Sequence, residues 1–493
     1  MKHNLEGAVW EITMGCNMRC KHCGSACTVP LVGELTTTES LQLCDELAEL
    51  GLKRITLAGG EPFTRKDWHK LAQRLSSFDI NVCIITNGWF IDECVVNKAL
   101  DSGVDFICIS IDGMESVHDS IRKKGSFRRC LSAIELLNKK NLLTTVCTTV
   151  SEKNYSELDS IYNLLHENNI DTWQLQLAVP MGSMHANLGN KTLAPGKINN
   201  LLEFIDRKQN NNKKFPRTIV TDCIGYRSKL SVKVRAFYNE KNTWGGCQAG
   251  KRVIGILHNG DIIGCTSFRN MQYVEGNIRE KSLKEIWTSK NTFSWNRKFD
   301  SNTLTGYCKK CQYKDNCKGG CSSLKYFTNK TLTENPYCAY KQDMEVFKRV
   351  VKQIKDLQII EKLITNSLEC KSYNTAEEAL KAFLSKAPTS LRKKHQLGFV
   401  YYQLGQYEEC YNISKELLNN NPKDSYALQG TGLALAKLNK VEEGIKLLRK
   451  SIKYASNKDQ LKDCYNDLAK VLNENGQSRK ALNVCNKIKH QSL

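Results

Sequence analysis

Between residues 8 and 180 the hydrophobic positions follow two alternating rhythms. Short runs rich in β-branched and other apolar residues fall at 8–14, 54–58, 81–86, 106–111, 143–150 and 172–178, and their length and composition predict strands. Between them apolar residues recur at helical spacing over 40–50, 68–77, 92–102, 130–139 and 156–167. Six such strand–helix units in series imply a parallel sheet, open or curled into a partial barrel. In folds of this kind the active site gathers at the carboxyl ends of the strands.

Past residue 180 the pattern changes. Residues 190–220 are polar, with an Asn- and Lys-rich stretch at 209–214 that reads as a boundary or solvated loop. From Cys247 to Cys338 cysteines are dense and regular periodicity fades, as in a small domain stapled by metal ligands rather than by a large core. A helix-like run at 344–368 reads as a connector. Beyond it the chain repeats: Pro388 and Pro422, Gly398 and Gly432, and Leu404 and Leu438 each stand 34 positions apart. The stretch Leu397-Gly398-x-x-Tyr401, with Pro422 further on, resembles the tetratricopeptide repeat. About three copies fit, the third degenerate, with Asn466 in place of the glycine and Ser456 in place of the proline. An ordinary helical bundle is the plainer alternative. Repeat arrays present a concave groove for peptides or proteins. Residues 373–493 hold 20 Lys and Arg against 12 Asp and Glu, a net +8 that suits an acidic peptide.

The whole chain has 493 residues, enough for about three domains. No apolar run approaches the ~20 residues of a membrane span, and the first residues lead straight into a strand with no signal segment. The expected location is the cytoplasm, away from membranes. There thiols stay reduced, so the 22 cysteines are read as metal ligands and core residues rather than disulfides. The net charge of +21 points to an acidic partner, or to nothing more than a basic solvated surface. No run of interleaved arginines and aromatics reads as an RNA platform, so nucleic acid is not expected.

The chemistry concentrates first at Cys16, Cys20 and Cys23, spaced C-x3-C-x2-C directly after the first predicted strand. Three thiolates are one short of the usual set for a 4Fe–4S cluster and leave one iron open. A structural zinc site is the alternative, but it ordinarily takes four protein ligands. Ala58-Gly59-Gly60-Glu61-Pro62 ends the second strand, where two glycines allow close backbone approach to a ligand. Thr86-Asn87-Gly88 and Ser110-Ile111-Asp112-Gly113 end the third and fourth strands. This constellation resembles the radical S-adenosylmethionine (radical SAM) superfamily. The resemblance implies that the open iron binds the amino and carboxylate groups of SAM, and that one electron cleaves SAM to methionine and a 5′-deoxyadenosyl radical that abstracts hydrogen. It implies SAM contacts for Gly59, Gly60, Glu61 and Pro62, with Glu61 near the amino group. Ser110 and Asp112 fall near the ribose or carboxylate. Arg122 reads as a partner of the SAM carboxylate or as a surface salt bridge. His22 falls where a ring often packs on the adenine, or it is simply exposed, and Cys27 is read as non-ligating.

A second group comprises Cys247, Cys265, Cys308, Cys311, Cys317, Cys321 and Cys338. Gly260 and the C-x2-C-x5-C-x3-C run resemble the seven-cysteine SPASM domain of peptide-modifying radical SAM enzymes; zinc ribbons are the alternative. The resemblance implies two auxiliary 4Fe–4S clusters, a distal one on Cys308, Cys311, Cys317 and Cys338 and a proximal one on Cys247, Cys265 and Cys321. Either Cys223 completes the proximal site or one iron stays open.

The expected fold is therefore an α/β partial (β/α)6 barrel at 1–190, a cysteine-rich iron–sulfur domain with its entry linker at 191–343, a helical connector at 344–372 and an all-α repeat solenoid at 373–493. The expected function is a radical SAM/SPASM maturase that crosslinks or oxidises a side chain of a ribosomal peptide or a protein. The repeats would recruit this substrate, in place of the winged-helix leader-binding domain for which the start of the chain leaves no room. A flavodoxin or ferredoxin would supply electrons. Two alternatives are formylglycine formation, as in anaerobic sulfatase-maturating enzymes, and a small-molecule dehydrogenase. In the former an Asp follows the second SPASM cysteine, whereas Thr266 follows Cys265 here. The catalytic acid or base is not assigned by the sequence.

Overall fold

The computed structural model describes residues 3–187, 192–210, 216–221, 223–235 and 245–491. The polar stretch at 211–214 and the expected boundary at 190/191 lie outside them. The described chain forms two compact units, one made of residues 1–308 with 315–340 and the other of 309–314 with 341–493.

The first unit is built on one ten-stranded sheet. Its strands are β1 (Gly7–Thr13), β2 (Arg54–Gly59), β3 (Asn81–Thr86), β4 (Phe106–Ser110), β5 (Leu143–Val150), β6 (Thr172–Leu177), β7 (Arg217–Val220), β8 (Val253–Ile256), β9 (Asp261–Ile263) and β10 (Val274–Asn277), in the order β10-β9-β8-β1-β2-β3-β4-β5-β6-β7. The six strands predicted from the alternating pattern are all present and run parallel in sequence order. The short β7 extends this parallel set. On the opposite edge β8 returns parallel to β1, and β9 and β10 follow antiparallel. The cysteine-rich segment thus shares its backbone hydrogen bonding with the first strand.

Alternation along the strands sets two faces. Trp10 and Ile12, Ile55 and Leu57, Val82 and Ile84, Ile107 and Ile109, and Trp173 and Leu175 join one apolar core with the helices. The opposite face carries Glu11, Thr56, Ser110 and a buried thiol row of Cys83, Cys108 and Cys147 on adjacent strands. Cys44, Cys130, Cys410 and Cys464 are buried, as core thiols are, whereas Cys94, Cys370 and Cys485 are exposed.

In the second unit the run at 344–368, expected as one helix, is two: Ala339–Gln353 and Leu357–Glu369. The break is chemical. Asp356 takes extended backbone and its carboxylate accepts the N–H of Gln358 at 2.7 Å, an N-cap that starts a new helix. The repeat follows from there. Helices begin at Leu357, Leu391 and Ser425, and their partners at Tyr373, Tyr407 and Val441, so the 34-residue period reaches one helix pair further back than its sequence markers reveal. Gly432 and Gly444 let two helices touch, since a Cβ on Gly444 would stand 2.5 Å from Gly432 O.

Candidate active site

At the carboxyl end of β1 the chain is turned by Glu34, whose Oε1 accepts Met14 N at 2.7 Å and Thr13 Oγ1 at 3.2 Å. The next residues meet the end of β2 almost backbone to backbone. Gly60 N donates to Thr13 O and Glu61 N to Gly15 O, both at 2.8 Å. Gly59 has φ +128°, and a Cβ there would lie 2.2 Å from Thr13 O; on Gly60 it would lie 2.1 Å from Gly15 O. Only glycines fit. Pro62 is buried at the start of the turn Pro62–Thr64.

Glu61 does not point outward. It is fully buried, and its carboxylate accepts Thr86 Oγ1 at 2.8 Å, Asn87 N at 2.8 Å and Phe63 N at 3.3 Å. Burial pushes its carboxyl up to about 7 against the pull of those hydrogen bonds. The side chain therefore ties the end of β2 to the end of β3, and it is backbone that this segment presents. Asn87 carries the tie onward, donating to Asn17 Oδ1 at 2.8 Å, with its Nδ2 4.0 Å from Cys16 Sγ.

The charges of Cys16, Cys20 and Cys23 act on one another. Burial pushes the Cys16 thiol up to about 11, while the hydrogen bond from Cys27 holds Cys23 down at about 5. Behind Cys20 stands a buried ion pair. Asp112 Oδ2 accepts Arg122 Nε at 2.6 Å and lies 2.8 Å from His22 Nε2, and Oδ1 accepts Thr149 N at 2.8 Å. Arg122 Nη1 lies 3.9 Å from Cys20 Sγ. The side chains of Arg122 and Asp112 are 10% and 0% exposed, so this is no surface salt bridge. Burial opposes both charges, but the Arg122 and His22 charges outweigh it and hold the Asp112 carboxyl well below the usual range. Ser110, at the end of β4, is buried, and its carbonyl accepts Cys130 Sγ at 3.7 Å.

His118 completes the network by accepting Asp112 N on Nδ1 at 3.2 Å. Burial, then the Arg122 charge, lowers its pKa to about 4, against the raising influence of Asp112 and Asp119; the charge of His22 lowers it further. Between pH 6.5 and about 4 the unfolded chain takes up a proton there and the folded chain does not. Stability is full above 6.5 and falls by up to about 3 kcal/mol as pH drops to about 4. All seven tryptophans precede residue 308, so tryptophan fluorescence reads the first unit alone. His118→Gln is expected to flatten the acid dependence of that unfolding midpoint.

One inward charge escaped the sequence reading. Glu11 on β1 is 3% exposed, pairs with Arg269 beyond β9, and accepts Ser25 Oγ at 2.5 Å. Its signal was a carboxylate at an inward position of an otherwise apolar strand. Among the second cysteine group, the charges of Cys247, Cys223 and Cys265 act on Cys321, and burial and then the Cys308 charge raise Cys317 to about 11. The buried Lys325, whose Nζ donates to Lys318 O at 2.7 Å, feels Cys247, Cys321, Cys308 and Cys317 together. Cys338 immediately precedes helix Ala339–Gln353. Cys311 lies on the 309–314 segment that clusters with the second unit.

Among the described residues no three His, Cys, Asp or Glu side chains close on one point as a single metal ion requires. The candidate donor set is all thiol, which suits a polynuclear iron–sulfur cluster rather than a single metal ion. Asn17 Nδ2 and His22 Nδ1, both on the cysteine loop, are buried without a protein partner. The loop thus keeps polar atoms for a bound group.

A parallel sheet with a three-thiol loop after its first strand, and further thiols folded onto its edge, defines an iron–sulfur enzyme. The chain belongs to the radical SAM superfamily. That family's profile matches residues 10–165, and the profile of an iron–sulfur cluster-binding domain, SPASM, matches 247–312, ending before Cys317, Cys321 and Cys338. A helical-repeat profile, that of anaphase-promoting complex (cyclosome) subunit 3, matches 369–451. The chain is 32% identical over 348 residues to an AdoMet-dependent heme synthase of Methanosarcina barkeri, covering 67% of this chain and 95% of that one. It is 27% identical over 334 residues to the mycofactocin maturase MftC of Mycolicibacterium smegmatis, covering 67% and 81%. In fold it is similar to Streptococcus suis SuiB bound to its precursor peptide SuiA, with a TM-score of 0.56 at 17% identity over 68% of this chain and 75% of that one. Its cofactors are SAM and 4Fe–4S clusters. No described helix is long and apolar enough to cross a membrane.

Proposed function

We propose that this enzyme modifies a side chain of a peptide or protein that its repeat array recruits. The observation that carries this reading is the array itself. The heme synthase match takes in nearly all of that relative yet leaves a third of this chain over. The remainder includes a repeat solenoid, an architecture suited to extended polypeptides. Its net +8 over residues 373–493 favours an acidic segment. SuiB, similar in fold, is bound to a precursor peptide, which supports the same direction.

In this reading Cys16, Cys20 and Cys23 hold the SAM-binding cluster. Cys247, Cys265 and Cys321 hold a proximal auxiliary cluster, and Cys308, Cys311, Cys317 and Cys338 a distal one. When bound, the first cluster supplies the electron that cleaves SAM to methionine and a 5′-deoxyadenosyl radical. Backbone of Gly59 and Gly60, with Ser110, meets SAM. Asp112 and Arg122, already occupied with each other, brace the cysteine loop from behind, and Glu61 fixes the glycine turn. An external one-electron carrier such as flavodoxin or ferredoxin completes the cycle. The 32% identity to a heme synthase favours a second reading, a heme-precursor porphyrin as substrate.

The test incubates the anaerobically reconstituted full chain with SAM, reductant and either peptides encoded beside its gene or an iron coproporphyrin. Mass spectrometry is expected to show a peptide that has lost hydrogen, with 5′-deoxyadenosine formed in step. A converted porphyrin and unchanged peptides would select the second reading.

A further inference from the structure

The rim around the first cysteine loop carries cations that the SAM site does not use. Arg19, Lys21, Lys123, Lys124 and Arg129 are all exposed, and among the described residues none of them pairs with a carboxylate. The acids nearby are engaged elsewhere. Glu115 holds Arg128 at 2.7 Å, and Asp119 accepts the N–H groups of Gly125 and Phe127 at 2.5 and 2.9 Å. A plain solvated surface intersperses both signs; this one is of a single sign.

The cations are also fixed to the loop. Arg19 Nη1 donates to Cys16 O at 2.8 Å and to Met18 O at 2.7 Å. Lys21 N donates to Ile121 O at 2.9 Å, which lays the loop against the segment carrying Arg122, Lys123 and Lys124. Lys123 and Arg129 converge on one indole: Nζ stands 4.0 Å and the guanidinium carbon 5.4 Å from the Trp89 ring centroid. Trp89 is partly exposed, and Phe90 beside it is 38% exposed. Two short contacts join this indole to the cluster loop. Asn87 Oδ1 accepts Trp89 N at 3.0 Å, and Asn87 Nδ2 lies 4.0 Å from Cys16 Sγ. On the other side Arg122, next to Lys123, reaches within 3.9 Å of Cys20 Sγ. Arg129 stands in the first turn of helix Ser126–Lys139, whose Ala133, Ile134 and Leu137 pack on the core of the sheet. The patch thus lies on the helix-covered side of the strand ends.

We propose that this patch is the docking face of an acidic, flavin-bearing electron carrier, a flavodoxin. This rests on the external one-electron carrier of the proposed function and adds where it binds. Five cations match a carboxylate-rich surface and steer its approach. The aromatic pair at their centre matches the apolar edge that a bound flavin leaves uncovered, a contact that lysines alone do not offer. The anionic flavin hydroquinone gives up one electron and becomes the neutral semiquinone. No proton moves, and the 4Fe–4S cluster goes from its 2+ to its 1+ state.

The test uses the anaerobically reconstituted full chain and a purified flavodoxin. Calorimetry measures the Kd of the oxidised flavodoxin at low and high salt. Separately, 5′-deoxyadenosine is followed without peptide, driven either by flavodoxin hydroquinone or by excess dithionite. Lys123→Glu with Arg129→Glu is expected to weaken Kd at low salt by about tenfold or more. Flavodoxin-driven cleavage should fall in step, and dithionite-driven cleavage should not change. Lys98→Glu with Lys139→Glu makes the same charge change in the last turns of two helices and should alter neither reading. Unaltered flavodoxin binding in the first variant, or binding by the parent that ignores salt, would overturn the proposal. An equal fall with dithionite would overturn it too, by assigning the patch to the cluster loop itself. A ferredoxin that bound tighter through the same residues would displace the flavin as occupant. A parent that cleaves SAM with dithionite but takes no electrons from flavodoxin would dismiss the carrier, and the surface with it.

Discussion

Asp112→Ala is expected to destabilise the first unit by about 3–5 kcal/mol, because it strands a buried guanidinium. Arg122 Nε loses its 2.6 Å acceptor, and Thr149 N and His22 lose theirs in the same step. Few single substitutions do so much. Surface pairs in this chain, such as Arg128 with Glu115, are worth at most about 1 kcal/mol by comparison. The loss should reach the cysteine loop, since Arg122 Nη1 lies against Cys20. Iron bound per chain after reconstitution is therefore expected to drop along with the unfolding midpoint read by tryptophan fluorescence. The double variant Asp112→Ala with Arg122→Met buries no uncompensated charge and should recover much of the stability. A single-variant loss below about 1 kcal/mol would mean that water reaches the pair.

The same pair shows where a sequence stops being readable. Strand positions and their parallel order were legible because strands buried on both faces read as short apolar runs, and helices between such runs make parallel crossovers. The cysteine loop was legible because its ligands are local. Arg122 and Asp112 were visible as chemistry, but whether they faced SAM or each other depends on contacts that join different strand ends. Glu61 is similar: a carboxylate after two glycines suggests an outward acceptor, yet its partners Thr86 and Asn87 come from the next strand and turn it inward. Glu11 was hidden because its partner Arg269 is supplied from beyond β9. The strands β8 to β10 were hidden too, being only three or four residues long. The helix break near Asp356 turned on a single capping hydrogen bond within an otherwise helical rhythm.

Gly60→Ala tests whether the cysteine loop is held by backbone contact, and it separates activity from stability more sharply than any charge change. The new Cβ would stand 2.1 Å from Gly15 O and 2.6 Å from Gly15 C, and neither atom can rotate away. The peptide at Gly15 must move, and Cys16 is the next residue. Overpacking of this kind costs about 1–3 kcal/mol, less than Asp112→Ala, so the barrel should stay folded. Reaction geometry is far less tolerant: a displacement of about 1 Å can cost on the order of 100-fold in rate. Formation of 5′-deoxyadenosine is therefore expected to fall at least that far while the unfolding midpoint moves modestly. Gly196→Ala is the matched control, since nothing lies within 4 Å of its Cβ and its φ is not positive; it should leave both readings unchanged. If Gly60→Ala kept full SAM cleavage, the loop would have to be adjustable. The close packing of β1 against the glycine turn would then be a feature of the fold and not of the site.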